Sequence, residues 1–217
     1  MNLIKLVPFG KLIFNVGFLS ADINDTLEQC TFIFTTSGAS FNPALTIGLA
    51  TIGKFPWADV PGYVVAQLIG GILGACLVYV QYKDHFNQSD PDSQLGVLAT
   101  GPAIRNLGVN FLCEAIATFF LVFAILGVDQ SPMADGIKVL AVIGIIWVIG
   151  LCLGGTTGYA INPARDLGPR IAHAFLPLKG KRDSDWGYAW VPIAGPIVGA
   201  IVAAQFFNIL VNAGIFK

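Results

Sequence analysis

The sequence predicts an all-α integral membrane protein built from two related halves, and three observations support this prediction. The chain has 217 residues, of which 55% are hydrophobic and only 12% are charged, and its mean hydropathy is +0.72. A soluble domain of this length would need more charge to cover its surface. The apolar residues occur in four long blocks, and the tripeptide Asn-Pro-Ala occurs once in each half, at 42–44 and 162–164.

The four apolar blocks are candidate transmembrane helices. They cover 61–80, 111–128, 139–157 and 189–211. Three of them contain no charged residue, and the block 111–128 contains one, Glu114. Because about 20 apolar residues in a helix cross the hydrocarbon core, we expect a protein that crosses the cell membrane several times. The Lys and Arg residues of the connectors do not decide which side of the membrane each connector faces.

The two halves align with each other. Asn42 and Asn162 are 120 residues apart, and with this offset Gly48 aligns with Gly168. In both halves an apolar block follows, so that 61–80 corresponds to 189–211. A unit of three spans that occurs twice has opposite orientations in its two copies, which makes it an inverted repeat.

We therefore predict one membrane domain over residues 1–217, divided into four parts. These are an atypical leader (1–36), the remainder of the first repeat (37–80), a long connecting loop (81–108) and the second repeat (109–213).

The segments 42–53 and 162–175 are too short to cross a membrane. Asn is a favoured helix N-cap, and Pro is favoured at the first helical position because it has no N–H to lose there. Each Asn-Pro-Ala therefore predicts the start of a half-length helix. Two such helices that enter from opposite faces meet tip to tip at the bilayer midplane. Irregular backbone at that depth is tolerated only where it is packed in protein or lines water, so the duplication predicts a polar pathway.

Composition argues against several other classes of function. The net charge of −1 and the lack of a long basic run argue against a nucleic-acid partner. The four cysteines are scattered, and their spacing predicts no metal site, cofactor or disulfide framework. His85 and His173 are interpreted as structural. No nucleophile–base pair is recognisable, so an enzyme is not expected.

With both motifs placed, the chain resembles the major intrinsic protein family, the aquaporins and glycerol facilitators, from about Ser37 to Ala213. Several features are similar to the bacterial glycerol facilitators. They are Asp166 directly after Arg165, Arg170 four residues further on, Pro192 and Ile193 where water-selective members carry aromatics, "TGPAIRN" at 100–106 and "DSDWGYAW" at 183–190.

The resemblance implies an aquaporin-like, right-handed bundle of transmembrane helices with two re-entrant half-helices. It implies a passive facilitator of glycerol and other small neutral solutes, with some water permeation and with exclusion of ions and protons. It also implies a homotetramer in the cell membrane, with the lipid bilayer as surroundings.

The resemblance also implies pore residues. Asn42 and Asn162 would cap their own helices with their side-chain oxygens and direct each NH₂ toward a passing oxygen. Arg165 would lie at an extracellular constriction and donate to two adjacent hydroxyls. Tyr159 would face the carbon chain of the solute, and Gly150 would widen the pore. Two alternatives remain open: an ion pair of Arg165 with Asp166, and Gly150 as a helix-packing glycine.

Other residues are expected to support the pore. Pro43, Ala44, Pro163 and Ala164 would build the helix tips together with the asparagines. Asp166 would orient its loop through Arg170, and Glu114 would accept backbone N–H groups of the re-entrant loop. Pro192 and Ile193 are assigned to the last span.

The leader 1–36 departs from the family pattern. By the offset, 137–154 aligns with 17–34, which contains Asp22, Asp25 and Glu28. Each charge at a bilayer centre costs roughly 2.5–3.5 kcal/mol, so this segment is not an ordinary span. We expect the first one or two helices to be missing or degraded. A family constriction aromatic would align with Asp22, to which no role is assigned.

Two other functions stay open at this stage. One is a truncated family member that transports nothing. The other is an ion-coupled secondary transporter, because inverted repeats and broken helices occur in that class too. Such a transporter needs a titratable group at the midplane, and Glu114 is the only candidate within the intact spans.

Overall fold

The computed structural model describes residues 40–216, and these form nine helices joined by short connectors. In chain order they are α1 (Pro43–Thr51), α2 (Val60–Gln81), α3 (Lys83–Gln88), α4 (Pro91–Leu98), α5 (Leu107–Gln130), α6 (Asp135–Thr157), α7 (Pro163–Phe175), α8 (Trp186–Ala189) and α9 (Val191–Asn212). The expectations for the leader 1–36, including Asp22, Asp25 and Glu28, lie outside the described residues.

Four of these helices confirm the four predicted spans. They are α2, α5, α6 and α9, which contain 22, 24, 23 and 22 residues. At 1.5 Å per residue they are roughly 33–36 Å long, enough to cross the hydrocarbon core. All four are long and apolar enough to be membrane spans. The protein is therefore an integral membrane protein that crosses the bilayer several times.

The outer surface of the bundle is apolar. Large side chains that are more than half exposed include Leu77 on α2, Trp147 and Leu151 on α6, and Ile209 on α9. A soluble protein rarely exposes so much contiguous apolar surface. These apolar faces are suited to contact with the hydrocarbon chains of lipids and not with water.

The two short segments are half-helices, as predicted. α1 has 9 residues and α7 has 13, and their N-caps are Asn42 and Asn162. Both helices have Pro in the first turn, where the missing N–H costs nothing. Neither helix is long enough to cross a membrane.

The prediction that 81–108 is a long loop is wrong, because this connector contains α3 and α4. The helix α4 starts at a local signal: the Asp90 side chain accepts the backbone N–H of Ser93 at 2.9 Å, and Pro91 follows the cap. Phe86 and Leu98 of the two helices are buried in a cluster with Ala172 of α7. The connector is therefore a packed cover over the second half-helix.

Each half-helix packs against the long helix of the opposite half. α1 lies against α9, and α7 lies against α2. A Cβ added at Gly48 of α1 would lie 3.0 Å from the carbonyl oxygen of Ala200, and one added at Gly168 of α7 would lie 3.0 Å from Cα of Gly71. Gly48 and Gly168 are the pair that the 120-residue offset aligns, so both halves use the same position for the same close contact.

The contact between α7 and α2 leaves no room for a methyl group at Gly71. A Cβ there would lie 2.8 Å from the backbone oxygen of Ala164, whereas a Cβ at the neighbouring Gly70 would meet nothing within 4 Å. We expect Gly71→Ala to destabilise the fold by about 1–3 kcal/mol, because overpacking against backbone forces the helices apart. Thermal unfolding in detergent measures this, with Gly70→Ala as the matched control. Equal melting temperatures of the two variants would contradict the close packing.

Candidate functional site

The tips of α1 and α7 are capped by their own asparagines. The side-chain oxygen of Asn42 accepts the N–H of Ala44 at 2.9 Å. That of Asn162 accepts the N–H groups of Ala164 at 3.0 Å and Arg165 at 3.3 Å. This is the geometry that the Asn-Pro-Ala spacing predicts. It satisfies backbone donors that have no partner within a helix.

The same two asparagines bind the loop in front of the opposite half-helix. Asn42 Nδ2 donates to the carbonyl oxygen of Ile161 at 2.8 Å, and Asn162 Nδ2 donates to that of Phe41 at 3.0 Å. The expected role of each NH₂ as a donor to a solute did not include these protein acceptors. One N–H of each amide joins the two halves, and an amide has a second N–H.

Glu114 holds the loop in front of α7. It lies on α5 with no exposed surface, and its two carboxylate oxygens accept the N–H groups of Ala160 at 2.9 Å and Ile161 at 2.8 Å. The loop needs this support because Tyr159 (φ 39°) and Ile161 (φ 45°) lie in the left-handed region. That region is unfavourable for a β-branched residue, and charge-assisted hydrogen bonds offset the strain.

A buried ion pair holds α7 to two connectors. Arg170 and Asp166 have no exposed surface, and Arg170 Nε donates to Asp166 Oδ1 at 2.7 Å. Asp166 Oδ2 accepts the N–H and the hydroxyl of Thr100, at 2.7 and 2.6 Å. Arg170 also donates to the backbone oxygens of Thr100 and Ser184, each at 2.7 Å. The pair thus holds the 81–108 connector at Thr100 and the loop after α7 at Ser184.

Three of the predicted pore residues line one cavity of about 530 Å³. They are Gly150, Tyr159 and Arg165, and Arg165 lies on the first turn of α7. Added Cβ atoms at Gly150 and Gly154 would lie 2.8 and 2.7 Å from the Tyr159 ring. The ring therefore lies directly on two glycines of α6, and the missing side chain of Gly150 makes room for Tyr159.

Other predicted site residues lie elsewhere. Asn42 and Asn162 are at the half-helix tips, outside the lining of this cavity. Pro43, Ala44, Pro163 and Ala164 are buried in the first turns of α1 and α7. Pro192 is buried in the first turn of α9 and Ile193 is half-buried beside it, and neither is among the described residues that line the cavity.

Comparison with known proteins adds to this geometry. The profile of the family described as "Major intrinsic protein" matches residues 25–207. The chain belongs to the major intrinsic protein family. The match starts at residue 25, whereas the resemblance recognised in the sequence starts at about Ser37.

Relatives within the major intrinsic protein family are similar over most of the chain. A probable glycerol uptake facilitator protein of Thermotoga maritima is 56% identical over 79% of this chain and 74% of its own length. The glycerol uptake facilitator protein of Bacillus subtilis is 54% identical over 79% of this chain and 63% of its own length. The X-ray structure of the aquaglyceroporin from Plasmodium falciparum is 34% identical, covers 84% of this chain and 76% of that chain, and superposes with a TM-score of 0.75.

In this family member the cavity has a charged rim. Arg105 donates to both carboxylate oxygens of Asp185, at 2.8 and 2.7 Å, and Arg182 pairs with Asp92 of α4. The hydrogen bond from Arg105 holds the pKa of Asp185 below its ordinary value. Because the folded-state pKa is the lower one, this pair stabilises the fold above the ordinary carboxyl range. The stabilisation is lost as the pH falls through the lowered pKa.

Lys181 caps the end of α7, a contact that the sequence did not predict. Its ammonium donates to the backbone oxygens of His173, Ala174 and Leu176, at 3.2, 2.7 and 2.9 Å, and so covers the C-terminus of α7. A cation at this end complements the helix dipole. The sequence signal for this contact is a lysine six residues after the last residue of the helix. His173 has the structural role that was interpreted for it, since its Nδ1 lies 2.8 Å from the Ser184 hydroxyl.

The buried pair makes a prediction about stability. Removing one partner leaves a buried charge without compensation, so Arg170→Met should destabilise the fold by about 3–5 kcal/mol. The exposed pair offers the matched control: Arg105→Met should cost about 1 kcal/mol or less. Thermal unfolding in detergent measures both variants. Similar losses in the two would contradict the special role of the buried pair.

Proposed function

We propose that this chain is a passive facilitator of glycerol and other small neutral solutes, with some water permeation, in the cell membrane. The observation that carries the proposal is the reciprocal bridge between the tips of α1 and α7. Asn42 and Asn162 each bind the opposite loop and keep a second N–H. Two relatives named glycerol uptake facilitators and the similarity to an aquaglyceroporin support the choice of solute.

The paired tips select against ions. Each helix N-terminus carries partial positive charge, and two of them meet at one place. That charge repels cations and orients each water oxygen toward the amides, which interrupts a chain of proton donors. A hydroxyl oxygen of a neutral solute accepts the second N–H of Asn42 or Asn162 while it passes.

The cavity beside the tips discriminates between solutes. The guanidinium of Arg165 is a planar donor that suits two adjacent hydroxyl oxygens of a polyol. The Tyr159 ring gives an apolar wall for the carbon chain, and Gly150 leaves the space that the ring and the solute share. Passage breaks no covalent bond, so the proposal includes neither catalysis nor a cofactor.

The remaining predicted residues support this pore. Glu114, Asp166 and Arg170 position the backbone around Asn162 and do not touch solute. We assign residues 37–80 and 109–213 to the two halves of one channel domain, joined by the 81–108 connector. The exposed apolar faces of the long helices fit contact with lipid and with further subunits, and we propose a homotetramer.

Stopped-flow light scattering on proteoliposomes tests the function. We expect glycerol to enter faster than into empty liposomes, without dependence on a pH gradient and without ionic current. Flux equal to that of empty liposomes would show that this chain transports no glycerol. Uptake driven by a pH gradient would instead establish ion-coupled transport.

The contact of Gly150 with Tyr159 tests the filter. In Gly150→Ala the new methyl group meets the ring at 2.8 Å and pushes it into the cavity. We expect glycerol permeability to fall about tenfold, equivalent to a barrier about 1.4 kcal/mol higher, and water permeability to fall less. Gly144→Ala on the same helix is the control, because a Cβ there meets nothing within 4 Å. Equal permeability of the two variants would exclude Gly150 from the filter.

A further inference from the structure

A neutral hydrogen-bond network holds the loop in front of α1. Gln67 of α2 is 8% exposed, and its Nε2 donates to the carbonyl oxygen of Ser40 at 2.5 Å and to the hydroxyl oxygen of Thr46 at 3.0 Å. The Thr46 hydroxyl donates to the carbonyl oxygen of Asn42 at 3.0 Å and lies 2.6 Å from the Ser40 hydroxyl. Because the Thr46 hydroxyl has one proton and donates it to the carbonyl oxygen of Asn42, the Ser40 hydroxyl is the donor to Thr46.

Ser40 is next to the residues that join the two halves. The carbonyl oxygen of Phe41 accepts from Asn162, and Asn42 donates to Ile161. Ser40, Phe41 and Asn42 are consecutive, so fixing the Ser40 carbonyl fixes the direction of the next two residues. The corresponding loop of the second half is held at Ala160 and Ile161 by Glu114.

The two supports have opposite polarity. Glu114 is an acceptor that binds N–H groups, whereas Gln67 is a donor that binds a carbonyl oxygen. An apolar side chain of the same shape could make neither of the contacts of Gln67 Nε2 with Ser40 and Thr46. The donor group therefore accounts for a glutamine at this position.

We propose that Gln67, with Thr46 and Ser40, is a positioning residue that sets the Phe41 carbonyl and the Asn42 amide at the meeting point of the half-helices. The role of these groups in solute passage rests on the proposed function. Their position in the fold is independent of that function, so the first test below measures position and the second measures solute passage.

Three variants and one control remove or keep single groups of the network. Gln67→Met keeps length and volume but removes the donor. Thr46→Val keeps shape but removes the hydroxyl, and Thr46→Ser restores the hydroxyl in the same place. Gln81→Met is the control, because Gln81 is exposed at the end of the same helix. If Gln67→Met does not fold, the Thr46 pair still tests the network.

The first test is amide hydrogen exchange of the full chain in nanodiscs. We expect faster exchange in peptides covering 40–50 for Gln67→Met and Thr46→Val, and wild-type exchange there for Thr46→Ser and Gln81→Met. Peptides covering 160–170, which Glu114 holds, should change less and serve as an internal reference. Unchanged exchange in 40–50, or an equal rise in both regions, would overturn the proposal.

The second test is permeability of the same proteins in liposomes. We expect glycerol permeability to fall about fivefold in Gln67→Met and Thr46→Val, the effect of one lost hydrogen bond on the barrier, and to recover in Thr46→Ser. If the wild type conducts and Gln67→Met conducts equally well, the positioning role is refuted. If the wild type does not conduct, the proposed function fails, and hydrogen exchange alone decides on Gln67.

Discussion

The structure depends on one reciprocal interaction, in which Asn42 donates to Ile161 and Asn162 donates to Phe41. Each asparagine meets two demands at once: its oxygen caps its own helix, and its NH₂ binds the opposite loop. Aspartate has the oxygen but no donor, and serine is too short to do both. The bridge therefore accounts for the asparagine of both tripeptides, and the missing N–H of proline at the first helical position accounts for the residue that follows.

The two halves support this bridge by different chemistry. The second half uses a buried carboxylate and a buried ion pair, Glu114 and Asp166 with Arg170. Among residues 40–81, the loop in front of α1 is held by the neutral Gln67 and Thr46. Buried charges carry a large desolvation cost, which strong hydrogen bonds must offset. The second loop has the left-handed Tyr159 and Ile161 backbone, and it lies where two connectors cross α7. Among the described residues, the charged groups therefore hold the loop whose backbone is left-handed at two positions.

Sequence reasoning succeeds where the signal is local. The four spans follow from apolar length, and the half-helices follow from Asn and Pro in adjacent positions. It fails where a contact depends on tertiary approach: Gln67 meets Ser40 27 residues away, and Gly71 lies against the backbone of Ala164 because α2 and α7 converge. The helix α4 is only partly predictable from the sequence. Asp90 and Pro91 are a local start signal, but the polar composition around them favours a loop.

The strongest constraints converge on α7. Its first turn follows the loop held by Glu114, and its centre contains the buried ion pair. Gly168 of α7 packs against Gly71 of α2, whereas Gly48 of α1 packs against the larger Ala200. The same helix presents Arg165 to the cavity. A filter distinguishes solutes only if its donors stay within a fraction of an ångström of their positions. This is the physical reason why we propose that the second half discriminates between solutes and that the first half supplies the matching tip.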